Sequence, residues 1–156
     1  MFSDKWHHRF MELAFLVASW SKDPTTKTGA VVVGPDREIR ATGYNGLVRG
    51  VDDNIPERME RPTKYDFFEH AERNAIYNAC LTGISLKGCV LYATHTPCTD
   101  CARAIIQAGI KMVVTNKIVI DENTPQGTWR DKLAYSAQMF KEAGVEYFEL
   151  PPENTK

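Results

Sequence analysis

The chain has 156 residues and a mass of 17.6 kDa, with 43% hydrophobic, 25% charged and 10% aromatic residues. That is the make-up of one globular domain, and it excludes disordered, collagen-like and disulfide-scaffold classes. With 19 Lys and Arg against 20 Asp and Glu the formal charge is −1, so the chain carries no broad electrostatic footprint for nucleic acid or an anionic membrane. No apolar run approaches membrane-spanning length and no small-residue cleavage site follows residues 13–18, so the expected location is a reducing cytoplasm.

In chain order, Ser3 can cap a helix whose apolar positions Trp6, Phe10, Leu13, Ala14 and Val17 recur at helical spacing and which Asp23-Pro24 ends. Residues 30–33 and 39–44 read as two strands joined by a turn at Gly34-Pro35-Asp36, giving a hairpin. Residues 46–69 turn polar and charged, with Pro56 and Pro62 breaking periodicity, and read as one long loop of the functional or mobile kind. Ala71, Ala75, Ile76, Ala79 and Cys80 then mark one side of a helix stopped by Gly83, followed by a strand at 89–93, a short helix at 98–108 and a strand at 111–115. A helix at 128–143 and a strand at 145–148 complete an α-β-β-α-β-α-β-α-β order. Strands alternating with helices in the second half require parallel crossovers, which predicts an α/β fold: a mixed five-stranded sheet with helices on both faces, in one domain over 1–150 with a loose tail at 151–156.

The chemistry concentrates at two helix starts. Cys98 and Cys101 lie three residues apart after Pro97, so both sulfurs can reach one ion, and a helix N-terminus favours their thiolates. With His70 added, a zinc ion has three protein ligands, the count of a catalytic site that keeps its fourth position for water. Glu72 stands two residues from His70 on another side of the helix, where a carboxylate can shuttle protons. Considered alone, Cys98 and Cys101 could be a redox pair or half of a structural zinc site, and Glu72 an ordinary first-turn carboxylate. His7, His8 and His95 sit at no ligand spacing from the cysteines, although His95 is close enough to line a pocket. Cys80 and Cys89 read as small core residues. Arg49, Arg58, Arg61 and Lys64 read as a solvated charged loop offset by Asp52, Asp53, Glu57 and Glu60, or in part as phosphate ligands.

His70-x-Glu72 followed by Pro97-Cys98-x-x-Cys101 resembles the zinc nucleobase deaminases, and the element order is similar to the three-layer αβα cytidine deaminase-like fold. More locally, Gly43-Tyr44-Asn45-Gly46, Arg49-Gly50, Arg61-Pro62-x-Lys64-Tyr65 and His70-Ala71-Glu72-x-Asn74-Ala75-Ile76 resemble blocks of the deoxycytidylate (dCMP) deaminase family, in the same order. The resemblance implies conversion of dCMP to dUMP and ammonia with one catalytic Zn²⁺ on His70, Cys98 and Cys101 and Glu72 as the catalytic acid-base group. It further implies base recognition near Ala71 and Thr96, and a sugar contact from Asn45. It also implies a homohexamer activated by dCTP and inhibited by dTTP, the triphosphate held with Mg²⁺ by Gly43, Tyr44, Asn45 and Gly46. The chain departs from the family at Leu81, where many members carry an arginine for the substrate phosphate. Deamination of dCTP, a C5-modified dCMP, guanine or tRNA adenosine stays open as an alternative, as does a non-catalytic, zinc-stabilised nucleotide-binding module. Without the resemblance, Gly43, Asn45 and Gly46 are turn residues.

Overall fold

The structure, a computed structural model, describes residues 2–116 and 129–151. The expected tail therefore lies outside the described residues beyond Pro151, as does the first residue of the helix expected at 128–143. The fully apolar run Gly29–Val33 forms β1, a strand buried on both faces, and pairs antiparallel with β2 (Ile39–Tyr44). Its other edge pairs antiparallel with β5 (Val90–Ala93), and β6 (Met112–Asn116) and β7 (Glu146–Leu150) follow in parallel. The result is the expected mixed five-stranded sheet, in the order β2-β1-β5-β6-β7.

Alternation along these strands divides the core in two. On one face Val31, Val33, Tyr92 and Val114 meet Phe10, Met11, Ala14 and Val17 of α1 (Asp4–Ala18). On the other, Val32, Leu91 and Val113 meet α3 (Ala71–Thr82), α4 (Thr99–Gln107) and α5 (Trp129–Ala143) through small side chains such as Ala75, Ala79 and Ala102 together with Ile105 and Phe140. The small residues bring α3 and α4 close to the sheet, and both begin at the same end of it. Gly83 closes α3 in the left-handed conformation (φ 72°), which lets the Ile84 N–H reach back to the Ala79 carbonyl.

Three expectations change. The first helix ends at Ala18, ahead of Asp23-Pro24, because the Ser19 hydroxyl bonds to the Leu16 carbonyl and the chain turns through Trp20 and Ser21. Residues 46–69 are ordered into β3 (Gly46–Leu47) paired with β4 (Phe68–Glu69), a 3-10 turn (Pro56–Met59) and α2 (Lys64–Phe67). Two-residue strands are too short to leave a periodic signal. Cys80 is exposed, one position beyond the buried stripe of α3, whereas Cys89 is fully buried as expected. Among the described residues, no helix is long and apolar enough to cross a membrane.

Candidate active site

His70 and Cys98 are the N-cap residues of α3 and α4, both extended (ψ 154° and 173°), so each side chain turns off the start of its helix toward the other. Glu69 accepts the His70 N–H at 3.0 Å and pairs with Arg73, which fixes the entry into α3. Cys98 Sγ lies 3.4 Å and Cys101 Sγ 3.5 Å from His70 Nδ1. A tetrahedral zinc with bonds of about 2.3 Å to sulfur and about 2.0 Å to nitrogen sets N···S edges of about 3.5 Å. The three donors thus fit zinc in both separation and chemistry. Among the described residues no other group of three His, Cys, Asp or Glu side chains is arranged to hold a metal ion.

The electrostatics are those of a cluster that sheds protons to a cation. The Cys101 and His70 side chains beside it, against burial, hold Cys98 down at about 3. Cys98, opposed by desolvation, raises His70, and together with burial it pushes Cys101 up; thiols bind zinc as thiolates, so metal binding would release their protons. Glu72 is 6% exposed, and burial raises its carboxyl above the usual range even though the Cys101 thiol donates to Oε2 at 3.6 Å.

Glu72, His70 and Cys98 face a cavity of about 530 Å³, within the range of small-molecule sites. Gly29, Ala93, His95 and Thr96 form one side, Thr26, Thr28 and Asn45 another, and Arg61, Lys64, Tyr65 and Phe68 from the 46–69 segment a third. Ala71 is buried beneath this floor with its carbonyl against Gly43, and Thr96 Oγ1 is 3.4 Å from the Tyr147 hydroxyl. Asn45 is committed to the neighbouring loop. Its Nδ2 donates to the Thr26 carbonyl (2.8 Å) and Asp23 Oδ2 (3.3 Å), and its Oδ1 accepts the Thr28 N–H (2.8 Å).

Gly43, Tyr44, Asn45 and Gly46 do not converge on one site, since alternate residues of an extended chain point to opposite sides. Asn45 lines the cavity above, and Gly43 packs on the α3 backbone. Tyr44 and Gly46 line a second pocket of about 460 Å³ with Arg49, Glu69, Asn74 and Tyr77. Leu81 is 69% exposed and lines neither.

Sequence reasoning missed Asp23, which it read only as a helix stop. Its carboxylate is 2% exposed and bonds to Lys64 Nζ at 2.6 Å, to the Thr25 N–H at 2.8 Å and to the Thr25 hydroxyl at 2.9 Å. Lys64 also donates to Thr25 Oγ1, at 2.9 Å. The pair pins the 46–69 segment over the cavity, and partners 41 residues apart leave no local pattern to read.

Comparison with known proteins agrees with this arrangement. A protein of Aliivibrio fischeri described as an uncharacterized deaminase is 43% identical over 149 residues, spanning 94% of this chain and 95% of its own. The deoxycytidylate deaminase of Mus musculus is 38% identical over 159 residues, spanning 97% and 83%. The crystal structure of dCMP deaminase from cyanophage S-TIM5 in complex with dCMP and dUMP matches with a TM-score of 0.76 at 26% identity, over 96% of this chain and 99% of that one. The family model for the cytidine and deoxycytidylate deaminase zinc-binding region covers residues 4–117 and so takes in His70, Glu72 and both cysteines; the chain belongs to this family.

Proposed function

We propose that this chain is a dCMP deaminase, converting dCMP and water to dUMP and ammonia, with residues 1–150 as one catalytic domain. The observation that carries the chemistry is a buried Glu72 beside the His70, Cys98 and Cys101 donors at the floor of a nucleotide-sized cavity. The choice of substrate draws on the cyanophage relative in complex with dCMP and dUMP and on the mouse relative named for deoxycytidylate.

His70, Cys98 and Cys101 are assigned to zinc, which when bound supplies the Lewis acidity that makes water a nucleophile near neutral pH. Glu72 takes one proton from the attacking water and passes it to N3, then takes the second from the hydroxyl newly bonded to C4 and passes it to the amine as the C4–N bond breaks, so ammonia leaves and the carboxylate ends as it began. A carboxyl whose pKa is raised by burial is suited to both halves of that transfer. Phe68 and Ala93 give the planar base apolar walls. The Ala71 N–H, without an intrahelical acceptor at the start of α3, and Thr96 are assigned to the base edge. Asn45 keeps one Oδ1 lone pair for a sugar hydroxyl while it holds the 23–28 loop.

The second pocket is assigned to the regulatory triphosphate, dCTP as activator or dTTP as inhibitor with Mg²⁺, held by Tyr44, Gly46 and Arg49. Glu69 lines both pockets and carries the His70 N–H, so an occupant on one side bears on the ligand cluster on the other. The exposed apolar side chains Phe15, Leu16, Trp20, Tyr77 and Leu81 support assembly, for which we adopt a homohexamer. A cytoplasmic location suits a ligand pair that must stay reduced.

Ammonia release by zinc-loaded protein from dCMP, dCTP, CMP, deoxycytidine and guanine tests the substrate assignment. The highest kcat/KM is expected for dCMP, and a higher value for any other member would reassign the enzyme.

A further inference from the structure

A nucleoside monophosphate brings a dianion into the cavity, and the cavity's own charges leave one group to meet it. Three carboxylates line it. Asp23 is neutralised by Lys64, Glu69 by Arg73, and Glu72 lies at the buried floor. Of the two permanently cationic lining residues, Lys64 is therefore already paired, with its side chain 7% exposed. The other, Arg61, makes no hydrogen bond or ion pair among the described residues, and its guanidinium lies 5.7 Å from the Tyr65 ring centroid.

The facing loop does not offer a backbone nest. The amides of Thr25 and Thr26 are taken by Asp23 Oδ1, and that of Thr28 by Asn45 Oδ1. Leu81 points to solvent. Position agrees with charge. Arg61 and Tyr65 are exposed at the mouth, whereas Glu72 is buried at the floor, so a nucleotide with its base at Glu72 turns its most strongly hydrated group outward to Arg61.

We propose that Arg61 receives the 5′-phosphate and is the residue that makes this site select a nucleoside monophosphate over the nucleoside, an inference that rests on the deamination reading above. The Tyr65 ring, 5.7 Å from the guanidinium carbon, lies within cation–π reach of it. A phosphate is best met by the planar fork of arginine, with two parallel charge-assisted bonds.

The test compares wild type, Arg61→Ala and Arg61→Lys, all zinc-loaded and matched for zinc content and melting temperature. It uses dCMP and deoxycytidine as substrates, and dUMP binding by calorimetry. Arg61→Ala is expected to raise KM for dCMP and the dUMP dissociation constant by about tenfold or more, to leave kcat within about twofold, and to leave deoxycytidine turnover unchanged. Arg61→Lys should recover part of the dCMP affinity. An unchanged KM for dCMP, or equal losses on dCMP and deoxycytidine, would overturn the Arg61 assignment alone. Absence of dCMP turnover in wild type would overturn the deamination reading and this inference with it.

Discussion

Glu72 and Asp23 are both buried carboxylates, and the difference between them is the partner each was given. Glu72 has a weak thiol donor, so desolvation wins and its proton is held more tightly than usual. Substituting Glu72→Gln keeps shape and burial but removes the proton shuttle proposed for it. A fall in kcat of about 10²–10⁴ is expected, with zinc content and melting temperature near wild type. Asp23 is also desolvated, but Lys64 and the Thr25 and Thr26 donors outweigh burial and hold its carboxyl below the usual range. Because the folded state binds this proton less tightly than the unfolded state, the stabilisation is complete above about pH 4 and drains away as pH falls through the folded value. Urea unfolding from pH 3 to 7 should show a shallower loss of stability toward acid in Asp23→Asn than in wild type, the remainder coming from Glu38 and Asp52, whose carboxyls are also held below the usual range. At neutral pH the variant should be less stable by about 3–5 kcal/mol, since Lys64 is left buried without its counter-charge.

At the scale of elements, the approach of α3 to β2 decides where the ligand cluster sits. A Cβ at Gly43 would overlap the Ala75 nitrogen and the Ala71 carbonyl, whereas one at Gly46 would meet open space. Gly43→Ala should therefore lower stability by about 1–3 kcal/mol and reduce zinc retention, because His70 and Glu72 ride on α3. Gly46→Ala should leave both near wild type, and thermal melts with elemental analysis separate the two cases. The regular elements were legible in the sequence because each carries several repeats of its period: the alanine stripe of α3, the apolar runs of β1 and β5, the glycines after α3, α4 and α5. The candidate zinc donors that the structure brings together, and Glu72 beside them, were legible for a related reason, since His70 with Glu72 and Cys98 with Cys101 are local spacings. What stayed hidden was built from single residues far apart, Asp23 with Lys64 above all. The 46–69 segment holds its shape through two-residue strands and one buried ion pair, which no periodicity announces. The separation of Asn45 from Tyr44 and Gly46 needed the direction of each side chain, which their shared loop motif concealed.

Across the whole molecule, one end of the sheet carries both pockets, with Glu69 and the β3–β4 ribbon as their common wall. If that wall transmits regulation through an oligomer, the dCMP rate curve should be sigmoidal alone, more hyperbolic with dCTP and suppressed by dTTP with Mg²⁺. Arg49→Ala should blunt both responses, since Arg49 is the cation of the second pocket and is held there by Asn78 at 2.8 Å. Rate curves indifferent to both triphosphates, with no binding seen by calorimetry, would remove the regulatory assignment and leave the zinc chemistry standing. The buried pair between Asp23 and Lys64 also bears on how such a chain can be altered by descent or by design. The sheet with α3 and α4 carries the candidate zinc donors and Glu72, while residues 21–28 and 46–69 line most of the rest of the cavity, and these two stretches are joined by one buried charge pair, Asp23 with Lys64, and one at the surface, Lys22 with Asp53. Grafting one of them alone from a relative with a different pairing would leave an orphan ion in the interior. A graft meant to change substrate preference is therefore expected to need both segments as a matched set, laid over an unchanged chassis.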